Sequence, residues 1–312
     1  MSDCSSPTLC LASPTRAARS PAGSVRLTTQ NPAEVRIDEL QRIGAGREAE
    51  VYALDGDRVL RLARTAALRE EVERERVALL AAARCGAPAP AMFEQIDVDG
   101  RPGLVLERLD AHDLLTSALR RPWELALVPA ILARVHAALH ETLAPAGLPD
   151  LHAEVAARLQ SKLVPPDVRD PAERALQRLP DGDRLCHGDL HPGNVMRRRS
   201  DGYAVIDWKA ASRGDPNADI ARTRLLLVGA WIPGPVPRRL QVLLSPFRWA
   251  LYSAYLSAYA GRRDLDRSTI AAWVPVLAAA RLSYDIPQER AWLLGVARRT
   301  SRTPRLSKPT LI

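Results

Sequence analysis

With 312 residues, 46% of them hydrophobic, the chain can bury a substantial core as one bilobal unit or as two small domains. Its net charge of +8 comes almost wholly from arginine, with lysine only at Lys162, Lys209 and Lys308, and no compact basic run is interleaved with aromatics, so a nucleic-acid partner is not expected. No apolar run is long enough to span a bilayer, and Cys4, Cys10, Cys85 and Cys186 form no CxxC pair, which points to a reduced, cytoplasmic setting without a cysteine metal site.

Residues 1–33 are rich in Ser, Pro, Ala, Arg and Thr and poor in acids. They lack the apolar centre of a secretory signal and read as a disordered leader. Order is expected from Val35, with a first strand over Val35–Leu40. Gly44-Ala45-Gly46 reads as a turn and Ala49–Leu54 as a second strand. Asp55-Gly56 then turns the chain into a third strand, Arg58–Ala63. Thr65–Arg84 carries Leu68, Val72, Leu79 and Leu80 at helical spacing until Gly86 and Pro88 end it. Two more strands, Met92–Val98 and Leu104–Glu107, flank Asp99-Gly100. Five strands and one helix thus make up a first domain over 34–108.

After Asp110 the pattern is mostly helical. Helices are expected over Leu114–Leu119, Trp123–Leu143, His152–Leu163 and Pro171–Leu179. Beyond residue 214 they are expected over Asp215–Val228, Arg238–Ala260, Ser268–Arg281 and Pro287–Arg299. Residues 109–300 form the second domain, and 301–312 read as a loose tail.

The most informative stretch interrupts these helices. It runs Cys186-His187-Gly188-Asp189-Leu190-His191-Pro192-Gly193-Asn194, then Ala204-Val205-Ile206-Asp207-Trp208. A loop from Asp189 to Asn194 leads to a short apolar strand, Tyr203–Ile206, that ends in Asp207. The hairpin would bring the two ends together. The residue types suit phosphoryl transfer: one carboxylate, Asp189, to hold the attacking hydroxyl, and an amide oxygen and second carboxylate, Asn194 and Asp207, to hold magnesium.

These residues resemble the aminoglycoside phosphotransferase and choline kinase-like family, in which the segment reads His-Gly-Asp-x-His-x-x-Asn followed by Ile-Asp-Trp or Ile-Asp-Phe. Gly214-Asp215-Pro216-Asn217-Ala218-Asp219-Ile220-Ala221 is similar to its next motif. The resemblance covers roughly residues 35–300. It implies an α+β, protein-kinase-like bilobal fold: a small antiparallel β-sheet lobe with one helix, and a larger, mostly helical C-terminal lobe. It further implies ATP and Mg2+ as cofactors and transfer of the γ-phosphate to a hydroxyl of a small molecule. Asp189 would be the catalytic base. His187 would pack behind the loop, Asp219 would accept from backbone near His187 and Gly188, and Asp215 would cap the following helix.

In the first lobe Gly44 and Gly46 look like a nucleotide-covering loop, although Ala49 stands where a third glycine is usual. Arg61 stands where kinases place a phosphate-contacting lysine, with Glu75, or one turn earlier Glu71, as its partner. Backbone at Glu107–Leu109 is expected at the adenine edge. The arginine and the incomplete glycine loop keep a nucleotide-binding pseudokinase or regulatory module open as an alternative. His136 and His140 stand one helical turn apart, a spacing that suits zinc, but no third ligand is evident, and a core role for His136 under the loop is preferred. His191 is placed at the acceptor pocket. Trp231, Trp249, Tyr252, Tyr255, Tyr259 and Trp273 read as core more readily than as pocket lining. Few acids follow Asp219, so the expected acceptor is neutral or weakly charged rather than polycationic.

Overall fold

The computed structural model of the protein describes residues 36–46, 48–109, 112–198, 202–231 and 243–299. The expected leader and tail lie outside the described residues, as does the start of the helix expected from Arg238.

Strands β1 (Arg42–Ala45), β2 (Ala49–Ala53), β3 (Arg58–Ala63), β4 (Met92–Val98) and β5 (Arg101–Glu107) form one antiparallel sheet in the order β1-β2-β3-β5-β4. Asp55 closes the β2–β3 turn by accepting from the N–H groups of Asp57 and Arg58 at 2.9 and 2.7 Å. The first-strand expectation is corrected: Ile37–Glu39 is a single 3-10 turn. Ile37 and Leu40, both half-buried, stand three residues apart. That spacing puts them on one side of a 3-10 turn but on opposite faces of a strand. Gly44 and Ala45 belong to β1, and the chain reverses just beyond, where Gly46 N–H donates to Ala49 C=O at 2.8 Å.

Helix α1 (Arg69–Arg84) buries Val72, Ala78, Leu79 and Ala82 and packs on β4 and β5. A separate 3-10 turn, Ala66–Leu68, occupies the start expected at Thr65.

The remainder is helical: α2 (Leu114–Arg120), α3 (Val128–Glu141), α4 (Leu151–Leu159), α5 (Pro166–Leu176), α6 (Pro216–Val228), α7 (Ser245–Ala260), α8 (Arg267–Arg281) and α9 (Pro287–Ala297). Trp123 lies in its own 3-10 turn, Pro122–Ala126, ahead of α3. Helix α5 begins a turn and more before Pro171, because Pro165-Pro166 supplies a start in which no amide hydrogen is needed. Pro171 is instead accommodated inside the helix. Helix α3 packs against α7, and α6 against α8. Leu132 and Leu139 on α3 are fully buried, each contributing about 2 kcal/mol of apolar burial. Tyr255, Tyr259 and Trp273 are fully buried core residues, while Trp249 is exposed.

Two short ladders lie among the helices and carry the loop motif. β6 (Arg184–Cys186) pairs with β9 (Ser212–Gly214), and β7 (Val195–Arg197) pairs with β8 (Tyr203–Val205). They are joined to the sheet by Val205 N–H donating to Pro88 C=O at 2.6 Å and by packing of α1 on the turn Trp208–Ala210. Among the described residues no helix is long and apolar enough to cross a membrane.

Candidate functional site

Strand β6 delivers the chain into His187-Gly188-Asp189. Gly188 has φ +78°, and a Cβ there would meet Ala210 O at 2.3 Å and Arg222 Nη1 at 2.6 Å. Glycine is therefore required by both conformation and space. Asp189 N–H donates to His187 Nδ1 at 3.3 Å, and His187 Nε2 lies 3.1 Å from Ile206 O. The accepting Nδ1 places the proton on Nε2, so one neutral imidazole ties the loop to the strand leading to Asp207. Burial lowers the pKa of His187, in keeping with that neutral state. Its ring meets the buried Trp208 edge-on at 5.0 Å.

Asn194 donates through Nδ2 to Asp189 O at 2.9 Å and to Asp189 Oδ2 at 3.1 Å. With the nitrogen so engaged, the amide oxygen is the atom left for a cation. Ile206 N–H donates to Asn194 C=O at 2.9 Å, which sets Asp207 directly beyond Asn194's partner across the hairpin. Asp207 is left-handed, with φ +63°. Such a conformation is uncommon outside glycine and clusters at functional sites. Its Oδ1 is buried and has no hydrogen-bond partner among the described residues. An orphaned buried carboxylate oxygen, on a strand end paired to the Asn194 backbone, fits a hard divalent cation.

Asp219 stands behind the loop. Its Oδ2 accepts from His187 N–H at 2.6 Å and its Oδ1 from Gly188 N–H at 2.9 Å. His136 Nε2 and His140 Nε2 lie 3.0 and 3.3 Å from Oδ2. The far ring nitrogens meet Tyr255 and Tyr259 hydroxyls at 2.6 and 2.8 Å. The sequence showed no third ligand for these histidines, whereas the fold supplies Asp219, all three ligand atoms lying within 4.8 Å of one another. Hydrogen bonds to the loop amides and the tyrosines tie the cluster into the core, while His136 Nε2 meets Oδ2 as an ion-pair contact outside hydrogen-bond geometry. Asp215 accepts from Asn217 N–H at 2.9 Å at the start of α6 and from Trp273 Nε1 at 2.9 Å. His191 Nδ1 accepts from Gly193 N–H, and its Nε2 is 4.0 Å from Asp189 Oδ2.

On the sheet, Arg61 forms an ion pair with Glu75 at 2.5 Å, and Glu75 is 3% exposed. Glu71 is not the partner. Burial pushes Glu75 up to about 7 even though Arg61 acts against the shift. The unfolded carboxyl releases its proton near 4.5 and the folded one only near 7, so stability should fall as pH rises across that window. Arg61→Gln should cost about 3 kcal/mol by leaving a buried carboxylate unpaired, with the deficit larger above pH 7 than at pH 5. Urea midpoints at both pH values test this, and equal midpoints for variant and wild type would refute it.

Gly44 lies in β1 and Gly46 at the turn that follows. At the end of β5, an inner strand, the backbone N–H of Glu107 is used by Ala91 O at 2.8 Å, and that of Arg108 by Asp57 O at 2.8 Å. The Glu107 side chain has a role the sequence did not reveal: it pairs with Arg198, just past β7, and so links sheet to hairpin. Leu109 is half-buried.

Lys209 was also missed. Its Nζ donates to Glu48 Oε2 at 2.6 Å and lies 3.7 Å from Asp207 Oδ2. Burial lowers its pKa, yet Asp207 and Glu48 more than offset this and leave the ammonium above its usual value. The chain thus sets a cation between the metal-binding candidate and the glycine turn. Its rarity was the available signal, for it is one of three lysines.

A five-stranded sheet with one helix, joined to a helical body whose loop and hairpin gather Asp189, Asn194 and Asp207, defines a protein-kinase-like phosphotransferase architecture. The chain belongs to the phosphotransferase enzyme family, which it matches over residues 39–256. It is 34% identical over 161 residues to a hydroxyurea phosphotransferase of Kitasatospora aureofaciens; the matched stretch covers 47% of this chain and 45% of that protein, so less than half of the relative's length. Its fold is similar to choline kinase LicA from Streptococcus pneumoniae, with a TM-score of 0.55 and 16% identity over 84% of this chain and 92% of that one. It is also similar to a thermostable mutant of aminoglycoside phosphotransferase APH(4)-Ia in ternary complex with AMP-PNP and hygromycin B, with a TM-score of 0.51 and 17% identity over 85% and 93% of the two chains.

Proposed function

We propose that the protein transfers the γ-phosphate of ATP to a hydroxyl of a small molecule in the cytoplasm, using magnesium. The sheet and helix over 34–108 would cover the nucleotide, and 109–300 would supply the chemistry. The observation that carries this is the hairpin: Asn194 holds Asp189 through its amide nitrogen, while Asp207, set next to it by the β7–β8 ladder, keeps a buried oxygen unpartnered. The names of the relatives support a small-molecule acceptor, and the complex with AMP-PNP supports an adenine nucleotide.

Asn194 and Asp207 would hold the magnesium ion, which when bound neutralises phosphate charge. Asp189 would orient the acceptor hydroxyl. The acceptor oxygen bonds to the γ-phosphorus, the bond to the β-phosphate oxygen breaks, and the hydroxyl proton passes to Asp189. Because the transition state is loose, the positioning by Asn194 and His187 contributes more than proton abstraction itself. Gly44 and Gly46 would let backbone approach the phosphates, Arg61 would contact them from its Glu75 ion pair, and the Glu107 carbonyl and Leu109 would border the adenine. The Arg61–Glu75 pair is formed, which favours an active site over a pseudokinase. Purified full-length protein incubated with ATP, magnesium and a panel of hydroxyl compounds should yield an acceptor heavier by one phosphoryl group by mass spectrometry. No product anywhere in a panel spanning metabolites and antibiotics would count against the proposal.

A further inference from the structure

Beside Asp189 the fold builds a recess of opposite character to a polycation site. Gly188 forms part of its wall. The rest is partly polar, from Arg158 on α4, Arg222 on α6, Arg281 on α8 and Tyr284, and partly apolar, from leucines and an alanine of α6 and α8. Among the described residues no carboxylate lines it. Its empty volume is about 330 Å³ counting the mouth, with about 20 Å³ open to the centre of a water-sized group. That excludes a whole antibiotic and leaves room for one small polar group at most.

The guanidinium groups are not all satisfied. Arg281 is held by Glu289 through two bonds of 2.7 and 3.1 Å, and Arg158 approaches Glu154 at 3.5 Å. Among the described residues Arg222 Nη1 and Arg158 Nε are buried without a hydrogen-bond partner. Arg222 as a whole is only 9% exposed, and its Nη1 stands against Gly188, where an added Cβ would meet it at 2.6 Å. A buried donor left unpaired is costly, and a charged one more so. Both donors belong to residues that line one recess, where an acceptor atom from outside the chain would satisfy them. Arginine meets carboxylate or phosphate with matching planar geometry. A cationic head group would instead be repelled by the same set.

We propose that this recess receives an anionic group of the phosphate acceptor, so that the substrate is a small hydroxyl compound carrying a carboxylate or a phosphate. This deepens the phosphotransferase reading and rests on it. It departs from the expectation of a neutral or weakly charged acceptor, because the fold gathers Arg158, Arg222 and Arg281, which lie far apart in sequence, around one recess.

The test uses the full chain with ATP and magnesium against matched hydroxyl compounds in three charge classes. These are hydroxy acids and sugar phosphates, neutral polyols and hydroxyurea, and choline and aminoglycosides. Turnover should favour the anionic class, and preference between hydroxy acids and sugar phosphates identifies the anion. Arg222→Gln should raise KM for that acceptor about 30-fold, with kcat changed less than about threefold and KM for ATP unchanged. Arg158→Gln, at a less buried position, should shift the same KM in the same direction. Equal or better use of neutral or cationic acceptors, or an unchanged KM in both folded variants, would overturn the proposal and leave the phosphotransferase reading standing. If no compound is phosphorylated, that reading suffers and binding decides this one. In protein saturated with ADP and magnesium, inorganic phosphate or acetate should bind to the wild type and not to Arg222→Gln. Absence of binding, or equal binding to both, would overturn it.

Discussion

Asp189→Asn and Asp207→Asn should each lower kcat by about a thousandfold or more while leaving the protein folded. The reasons differ. Asp189 is partly exposed and its carboxylate takes one hydrogen bond, from Asn194. The amide variant preserves shape but can neither accept the hydroxyl proton nor attract it electrostatically, and loss of a positioned base is worth roughly 10²–10⁴ in rate. Asp207→Asn removes the charge at the proposed cation site while tolerating the left-handed backbone, which Asn adopts more readily than Ala. Asp207→Ala would mix backbone strain of about 1 kcal/mol or more with the loss of function. Asp207→Asn should also weaken magnesium-dependent nucleotide binding towards its metal-free level, whereas Asp189→Asn should leave that binding intact. Calorimetric nucleotide titrations with and without magnesium, set beside kcat, separate the two roles. If either variant kept more than a tenth of wild-type kcat on the same acceptor, its assigned part in the chemistry would be wrong.

The readable portion of this site was local in sequence. Asp189 and Asn194 share one loop and Asp207 ends the hairpin that follows, so the motif itself put them on neighbouring segments. The Arg61–Glu75 pair could be anticipated because the resemblance to kinases implies a strand cation paired with a glutamate of the following helix. What stayed hidden depends on contacts across the fold. Glu107 and Arg198 are separated by 91 positions, and Lys209 and Glu48 by 161. No periodicity connects them. The first strand was misplaced because the apolar residues Ile37 and Leu40 sit at a spacing that strand and turn interpret differently. The start of α5 was misplaced because Pro171 reads as a beginning, whereas the Pro165-Pro166 pair already provides one. The arginine recess was invisible for the same reason as the long-range ion pairs, since α4, α6 and α8 meet only in three dimensions.

Asp219→Ala should be the most damaging single change to stability, costing about 4 kcal/mol or more. Asp219 is 1% exposed and takes both loop amides, with two imidazoles facing the same carboxylate. Burial pushes its pKa up, but His136 and His140 together more than offset this and hold it well below the usual carboxylate range. Truncation leaves several buried donors without an acceptor, each worth roughly 1–3 kcal/mol. Against a total stability of roughly 5–15 kcal/mol, that brings the fold near its limit. Asp219→Asn retains one acceptor and should cost about half as much, so it is the variant in which activity can be read. With the loop less firmly held, its kcat should fall about tenfold at unchanged KM for ATP. The same network fixes the acid limit of the wild type. Burial lowers His140 from 6.5 to about 4, so unfolded imidazole binds protons that the folded one does not, and stability should decline as pH drops through that interval. Asp219 adds its own loss below 3.8, where the unfolded carboxylate protonates first. Urea melts of wild type and both variants at several pH values measure these effects. An Asp219→Ala variant within about 1 kcal/mol of wild type would show that the loop is held by something other than this carboxylate.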